Sequence, residues 1–237
     1  MKRAAVYIDG FNLYHALKIL GLEEYKWLNI RALVENFLPS SQYESPNITY
    51  FSAYVHWIQE SMARQKRYVA ALQAVGVNPV LGTFARDKEY SCDACGNKAR
   101  YYVEKTTDVH IGVSMMQDAC KGHHDLLMLV SADSDFAPAL HLIRKSFPSI
   151  ELKVLVPPAQ QGSKALRKEV GAKNVSHIKH IHVQRSLLAR EYQVVGRNES
   201  IIRPYIYDPL PMSDDKRTKL QQVDAMFESV ERKPRSD

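Results

Sequence analysis

Short apolar runs alternate with segments of helical periodicity along residues 3–183, and this alternation limits the possible folds more than any other feature. Residues 126–130 read LLMLV, an unbroken apolar run. A strand of this kind is typical of a parallel sheet, in which helices cover both faces and leave no side for polar residues. Strands and helices alternating at this spacing indicate a doubly wound, three-layer α/β sandwich with a mostly parallel central sheet.

The same periodicity predicts the individual elements. Strands are predicted over residues 3–9, 48–57, 77–84, 125–130 and 150–156, and helices over residues 11–20, 28–38, 60–75, 108–119, 136–147 and 163–170. A short extended piece is predicted at 177–183. The aromatic residues Tyr50, Tyr54 and Trp57 recur at strand spacing, so we expect them in the core.

Two segments depart from the alternation. Residues 86–103 are polar and contain the sequence CDACG at 92–96, which predicts a hairpin inserted into a domain of residues 1–190. Residues 191–237 form a predicted C-terminal extension, extended over 192–211 and helical over 216–230. The last few residues are expected to be disordered.

The charge distribution and the apolar runs bear on the kind of partner. No apolar run approaches the length of about 18 residues that a membrane span needs, and Asp9 ends the first run too early for a signal peptide, so we expect a cytoplasmic protein without a membrane partner. The net charge is +6, and residues 1–195 carry the whole excess. A basic body attracts nucleic acids, but charge alone leaves this role and no special role equally open.

Four aspartates are predicted to meet at one edge of the sheet. Asp9 closes the first strand, Asp133 and Asp135 follow the strand at 125–130, and Asp108 opens the helix that leads into that strand. Because the carboxyl ends of parallel strands share one edge, acids from separate segments converge there. Each acid also has a plainer interpretation, since an aspartate after a strand often caps the next helix and Ser-Asp pairs abound in turns.

Clustered carboxylates repel one another, and a bound cation relieves that repulsion. Carboxylate oxygens suit Mg²⁺ or Mn²⁺, which serve phosphoryl transfer and phosphodiester hydrolysis above all. The residues by themselves therefore predict a metal site of this class, while other reactions that use acids stay open.

Three sequence motifs resemble those of the NYN domain family. They are YIDGFNLY at 7–14, EKTTDV at 104–109 and SADSDF at 131–136, in the family's order, and the likeness extends over about residues 3–185. The LabA-like bacterial branch is the most similar. Ala132 departs from the family's pattern, in which glycine is common. The resemblance implies a PIN-like nuclease fold over residues 1–190, with an acidic metal site and RNA as the substrate.

The resemblance also implies roles for individual residues. Asp9, Asp108 and Asp133 would be the principal metal ligands, and Asp135 an additional ligand or an acid behind them. Asn12 would orient a ligand or the scissile phosphate. Four further residues would support the carboxylates or balance their charge, the first two by hydrogen bonds: Ser131, Ser134, Glu104 and Lys105.

Cys92 and Cys95 have the spacing of half a zinc site, for which Cys120, His123 and His124 could supply the other half. The alternative is a metal-free turn with free thiols. Seven basic residues are candidates for phosphate contacts, and the alternative for each is a solvated helix face: Lys66, Arg67, Arg144, Lys145, Lys164, Arg167 and Lys168.

The leading hypothesis is a Mg²⁺- or Mn²⁺-dependent ribonuclease that cleaves phosphodiesters by attack of water. One rival is a catalytically silent PIN-like scaffold that binds RNA or a regulatory partner. Another is a small-molecule phosphatase, although an aspartyl nucleophile would want an acid two residues after Asp9, where Phe11 stands. An edge strand or the C-terminal extension could mediate a homodimer.

Overall fold

The computed structural model describes residues 1–91, 94–193, 200–209 and 213–232. In this part of the chain the strands are β1 (Ala4–Asp9), β2 (Asn47–Ser52), β3 (Val77–Leu81), β4 (Thr83–Ser91), β5 (Lys98–Lys105), β6 (Leu126–Val130), β7 (Glu151–Val156), β8 (Val175–His177), β9 (Glu191–Gln193) and β10 (Ser200–Ile202). The helices are α1 (Gly10–Ile19), α2 (Ile30–Glu35), α3 (Gln59–Ala74), α4 (Thr107–Lys121), α5 (Ala137–Ser146), α6 (Lys164–Val170), α7 (His180–Arg185) and α8 (Asp214–Arg232). Cys92 and the final residues predicted to be disordered lie outside the described ranges.

The described strands include a six-stranded parallel sheet, in the order β3-β2-β1-β6-β7-β8. Every residue of β1 and of β6 is buried, as the unbroken apolar run at 126–130 predicts. Val6 and Ile8 of β1 pack on one face with α1, α2, α3, α7 and α8. Ala5 and Tyr7 pack on the other face with α4, α5 and α6. The predicted three-layer α/β sandwich is confirmed.

The strand order reverses between β1 and β6, and this reversal places the candidate site. From β1 the chain proceeds outward through β2 and β3, whereas from β6 it proceeds the other way through β7 and β8. The connections that follow β1 and β6 therefore part from each other and leave a crevice at the carboxyl ends of these two strands. In open α/β sheets such a crevice is the usual place for a ligand.

The strand predicted over 48–57 is wrong beyond Ser52, where β2 ends. Residues 53–58 leave the sheet, and the ring of Trp57 stacks on Tyr102 of β5 with centroids 3.8 Å apart. Trp57 is 37% exposed, so the prediction that it lies in the core is also wrong. Aromatic residues favour any half-buried surface, and here the hairpin supplies one outside the sheet. The strand predicted over 77–84 is likewise interrupted at Gly82, which separates β3 from β4.

The extended piece predicted at 177–183 is also wrong, because β8 ends at His177 and α7 begins at His180. The β-branched side chains of Ile181 and Val183 favour a strand locally. A tertiary contact overrides that preference: the His180 ring nitrogen Nδ1 lies 2.6 Å from the Asp224 carboxylate of α8. Val183 is fully buried under the sheet, which fixes the helical turn in place.

In the part of the chain that the structure describes, two antiparallel strand pairs lie outside the central sheet. β4 pairs with β5 in the segment predicted as an insertion, and β9 pairs with β10 in the C-terminal extension. After β10, a 3₁₀ turn at Tyr205–Tyr207 brings Tyr207 against Trp27, with ring centroids 6.3 Å apart. Within the described ranges, no helix combines the length and apolar character needed to cross a membrane.

The close packing around Gly10, the first residue of α1, gives a testable prediction. A Cβ atom there would stand 2.4 Å from the Phe51 backbone oxygen and 2.7 Å from the Tyr50 ring, and a backbone atom cannot move aside cheaply. We expect Gly10→Ala to lower the free energy of unfolding by about 3 kcal/mol, as overpacking does. Urea denaturation followed by circular dichroism measures the change.

Gly112→Ala is the matched control, because its Cβ would meet only Ala139 Cβ at an ordinary 3.7 Å inside helix α4. Alanine favours a helix over glycine by up to about 1 kcal/mol, so this variant should equal or exceed the wild type in stability. Equal stability of the two variants would contradict the close approach of α1 to β2.

Candidate active site

Asp9 is the buried acid at the centre of the candidate site. It is the last residue of β1 and caps α1, where its Oδ1 accepts a hydrogen bond of 3.0 Å from the backbone N–H of Asn12. Only 5% of the residue is exposed. The interpretation of Asp9 as a helix cap is therefore correct, but the cap uses only one carboxylate oxygen. The second oxygen faces the neighbouring strand.

Ser131 joins Asp9 to the segment that follows β6. Ile8 pairs with Val130 in the sheet register, so the next residues, Asp9 and Ser131, stand side by side. The Ser131 hydroxyl donates to Asp9 Oδ2 at 2.9 Å and accepts from the backbone N–H of Asp133 at 3.1 Å. Ser131 is fully buried. One hydroxyl thus fixes both the first acid and the backbone that carries the second.

Asn12 ties α1 to the same segment. Its side-chain oxygen accepts a hydrogen bond of 3.1 Å from the backbone N–H of Ala132. The resemblance implied that Asn12 orients a ligand, whereas the structure shows this oxygen holding the loop after β6. The residue acts on the position of Asp133 through the backbone.

Asp133 and Asp135 occupy different positions, although they are two residues apart. Asp133 is half-buried, lines the cavity described below and accepts a hydrogen bond of 2.9 Å from the backbone N–H of Asp135. Asp135 is exposed, lies in the following 3₁₀ turn and does not line that cavity. Ser134 is exposed in the same turn. The structure therefore ranks Asp133 above Asp135 as a residue that meets a ligand.

Asp108 reaches the site from the first turn of α4. The residue before this helix, Thr106, has a φ of +78°, a strained value for a β-branched residue. Glu104, at the end of β5, accepts hydrogen bonds from both the backbone N–H and the hydroxyl of Thr107. These contacts fix the start of α4, and Glu104 and Asp108 both line the cavity. The neighbouring Lys105 is exposed at the end of the hairpin.

The acids influence one another. Burial raises the pKa of Asp9 to about 6, the hydrogen bonds from Asn12 and Ser131 oppose that shift, and the negative charges of Asp108 and Asp133 add to it. Burial also raises the pKa of Asp108, and repulsion from Asp133, Glu104 and Asp135 raises it further. The ionised cluster is therefore under electrostatic strain that a cation would relieve.

The oxygen atoms of these acids can be compared with the ligands that a divalent cation requires. Among the described residues, no three His, Cys, Asp or Glu side chains stand close enough together in this conformation to hold a metal ion. The chemistry of the set does fit, because oxygen ligands and concentrated negative charge are what Mg²⁺ and Mn²⁺ require. Asp9, Asp108 and Asp133, which share one cavity, are the residues that would hold the ion.

The predicted zinc ligands are not brought together within the described part of the chain. Cys95 is an exposed free thiol near the turn of the β4–β5 hairpin, and Cys120 is an exposed free thiol near the end of α4. Cys92 lies outside the described residues. The zinc site stays a prediction.

The basic residues proposed for phosphate contacts do not line the cavity with the acids. Lys164, Arg167 and Lys168 lie on α6, which packs against the face of the sheet opposite to α1 and α3. Arg144 of α5 forms an ion pair of 2.9 Å with Glu169. A contact between these residues and a phosphate stays a prediction.

Sequence reasoning missed the cavity itself, which has a volume of about 620 Å³. It begins at Asp9, Asp108 and Asp133 and continues between α1 and α3 to the 3₁₀ turn of the extension. Its walls include residues that no motif singled out: Tyr14, Lys26, Arg64, Tyr68 and Tyr207. These residues come from four elements, and only the helical spacing of Arg64 and Tyr68 on α3 could have linked any two of them.

Comparisons with known proteins give a family and two similar chains. The NYN domain model matches residues 3–172. The chain is similar to 6-hydroxy-3-succinoylpyridine 3-monooxygenase HspA of Pseudomonas putida, with 29% identity over 223 residues, which covers 79% of this chain and 69% of that protein. It is also similar to a protein of unknown function from Vibrio parahaemolyticus, at 18% identity and a TM-score of 0.48, over 75% of this chain and 93% of that one.

The raised pKa of Asp9 predicts a specific pH dependence of stability. The folded protein holds this proton up to about pH 6, whereas the ordinary value is 3.8, so rising pH in that window destabilises the folded state. Compared with Asp9→Asn, which does not titrate, the wild type should lose roughly 2 kcal/mol of unfolding free energy between about pH 4 and pH 7. Urea denaturation in EDTA across this range measures the difference, and parallel pH profiles would contradict it.

Proposed function

Because the chain belongs to the NYN domain family of PIN-like nucleases, we propose that it is a metal-dependent ribonuclease. In this proposal it hydrolyses phosphodiester bonds by attack of water at the cluster of Asp9, Asp108 and Asp133. The observation that carries the proposal is the bridge from Asp9 through Ser131 to Asp133, which joins two acids of separate strands at the switch point of the sheet. Asp108 faces the same cavity from α4.

The three acids would hold Mg²⁺ or Mn²⁺. A divalent cation in such a site polarises water and neutralises the charge of the phosphodiester and of the leaving oxygen. The side chains then have distinct tasks. Asp9 is held by two hydrogen bonds and would be the ligand with the most fixed position. Asp133 keeps its position through its bond with the backbone of Asp135, so its second oxygen stays available.

RNA is the substrate that the family resemblance implies, and the charge of the chain agrees with a polyanion. Residues 1–195 carry the whole net charge of +6, although the candidate site itself is acidic. A basic body outside an acidic site attracts a polyanion over a distance and leaves the local repulsion to a bound cation.

The two alternatives, a silent scaffold and an aspartyl phosphatase, require different features of the site from those that a nuclease requires. A silent scaffold gains nothing from a buried carboxylate whose ionisation opposes folding, as Asp9's does at neutral pH. An aspartyl phosphatase needs an acid at position 11, where Phe11 packs edge-on against Phe84. A trapped phosphoenzyme would favour the phosphatase.

A second candidate function follows from the aromatic lining of the cavity. The similar protein from Pseudomonas putida is named as a monooxygenase of 6-hydroxy-3-succinoylpyridine, a small aromatic acid. Tyr14, Tyr54, Tyr68 and Tyr207 line a cavity of about 620 Å³ in this chain, large enough for such a molecule. Saturable binding of 6-hydroxy-3-succinoylpyridine, together with no cleavage of any RNA, would favour this candidate over the nuclease.

We expect Asp133→Asn to abolish metal-dependent cleavage and to leave the fold intact. Its side-chain oxygen can still accept from Asp135 N–H, while the charge that would hold the cation is lost. The rate of RNA cleavage should fall by more than about 100-fold. Loss of a group that only orients a metal ligand already lowers activity by about 10- to 100-fold, and Asp133 is proposed as a ligand itself. A fluorescent single-stranded RNA, incubated with Mg²⁺, Mn²⁺ or EDTA, measures cleavage, and thermal melting checks the fold.

Asp135→Asn is the matched control, because it makes the same change two residues away at an exposed position outside the cavity. We expect this variant to keep at least about a tenth of the wild-type cleavage rate, which is a smaller loss than removal of a metal ligand causes. Equal rates for wild type and Asp133→Asn, or wild-type cleavage in EDTA, would contradict the proposed function.

A further inference from the structure

The cavity extends well beyond the acids, along helix α1. Gly10 and Leu17 both line it, and seven residues at about 1.5 Å each place them roughly 10 Å apart along the helix. The far end is formed by α3, by the 3₁₀ turn Glu23–Lys26 and by the turn Tyr205–Tyr207. We call this part the distal pocket and define it by Tyr14, Lys26, Arg64, Tyr68 and Tyr207.

The distal pocket carries the positive charge of the cavity. Among the lining residues, Lys26 and Arg64 are the lysine and arginine, and both charges act on Tyr207. The charges that act on Asp9 are those of Asp108 and Asp133. The cavity is therefore acidic where the metal ligands are proposed and basic at its distal end.

Lys26 is held in the distal pocket by a replaceable partner. Its side chain is 10% exposed, and its Nζ lies 2.6 Å from Glu23 Oε2 and 5.5 Å from the centre of the Tyr14 ring. Glu23 is 58% exposed, so its carboxylate can turn to solvent at little cost. The buried ammonium stays in the pocket, and Glu23 occupies the place of an incoming anion.

Arg64 lies on the opposite wall. Its positive charge opposes the rise in the pKa of Tyr207 that burial causes, and its ion pair with Glu60 is long, at 3.7 Å, to a carboxylate that is 90% exposed. An exposed pair of this kind contributes little and leaves the guanidinium able to bind another anion.

Rigid aromatic rings form the remaining walls. Tyr207 stacks on the fully buried Trp27, and the Tyr68 hydroxyl donates to the Leu28 backbone oxygen at 2.8 Å. Tyr207 lies beyond residue 172, where the match to the NYN domain ends. The extension thus completes a pocket that the family domain alone would leave open on this side.

We propose that the distal pocket binds one terminal nucleotide, with its phosphate on Lys26 and Arg64 and its base against the tyrosine rings. A terminal phosphate monoester carries nearly two negative charges at neutral pH, which suits two cations better than the single charge of an internal phosphodiester does. Stacking on tyrosine accepts any base. This inference rests on the proposed function, since it places the adjoining phosphodiester at the acids.

Calorimetric titration with adenosine 5′-monophosphate in EDTA tests the pocket without turnover or metal. We expect saturable binding to the wild type, weakened about 10-fold or more by Arg64→Gln and by Lys26→Gln, because each loses a charge-assisted hydrogen bond. Lys18→Gln is the matched control for Lys26→Gln, since Lys18 is exposed on α1 and does not line the cavity. Its affinity should equal that of the wild type.

Two further variants test the details. Glu23→Gln should tighten binding of the monophosphate, because it removes the carboxylate that competes for Lys26. Tyr207→Ala should weaken both the monophosphate and the uncharged nucleoside adenosine, whereas Arg64→Gln should weaken the monophosphate alone. Thermal melting of each variant reports folding, and if Arg64→Gln fails to fold, Lys26→Gln and Glu23→Gln decide the question.

The inference is overturned if the monophosphate fails to bind the wild type below about 1 mM, or if Lys26→Gln and Lys18→Gln bind it equally. Binding of an aromatic carboxylate such as nicotinate with the same Arg64 dependence, and no binding of the nucleotide, would also overturn it. Nucleotide binding as expected without any RNA cleavage would refute the nuclease proposal alone. RNA cleavage without Arg64-dependent nucleotide binding would refute the distal pocket alone.

Discussion

The hydrogen bonds of one buried hydroxyl, that of Ser131, hold the candidate site together. It donates to Asp9 and accepts from the backbone of Asp133, so the two acids keep a fixed relation across the boundary between β1 and β6. A hydrogen bond to an ionised group contributes about 1.5–3 kcal/mol to the stability of the folded state. Burying a carboxylate without such a bond destabilises the folded state by much more. The pairing of Ile8 with Val130 aligns Asp9 with Ser131, so the sheet register sets this contact.

The electrostatics of the cavity follow from that arrangement. Folding brings Asp9 and Asp133 together with Asp108, and burial and repulsion raise the pKa of Asp9 to about 6. At neutral pH the ionised cluster therefore opposes folding, and the hydrophobic clusters on both faces of the sheet supply the stability that offsets it. Strain of this kind at one point is common where a site is built to bind a ligand.

The C-terminal extension changes the character of the cavity more than that of the sheet. Tyr207 reaches back over the domain to Trp27, a residue separated from it by most of the chain. This contact places Tyr207 on the wall of the cavity, which has acids at the sheet edge and Lys26 and Arg64 at its other end. The match to the NYN domain covers the acids and both basic residues, Lys26 and Arg64, whereas Tyr207 on the wall of the cavity belongs to the C-terminal extension.

The sequence by itself determined the fold class, because strand burial and helix periodicity are recorded in local patterns of apolar residues. It also marked Asp9 and Asp133 as residues at strand ends. Only the tertiary structure decided that Asp135 lies outside the cavity, that residues 177–183 contain a helix, and that Lys26, Arg64 and Tyr207 share a pocket. Side chains that meet from distant elements leave no periodic signal, since packing and long-range contacts, and not local preference, bring them together.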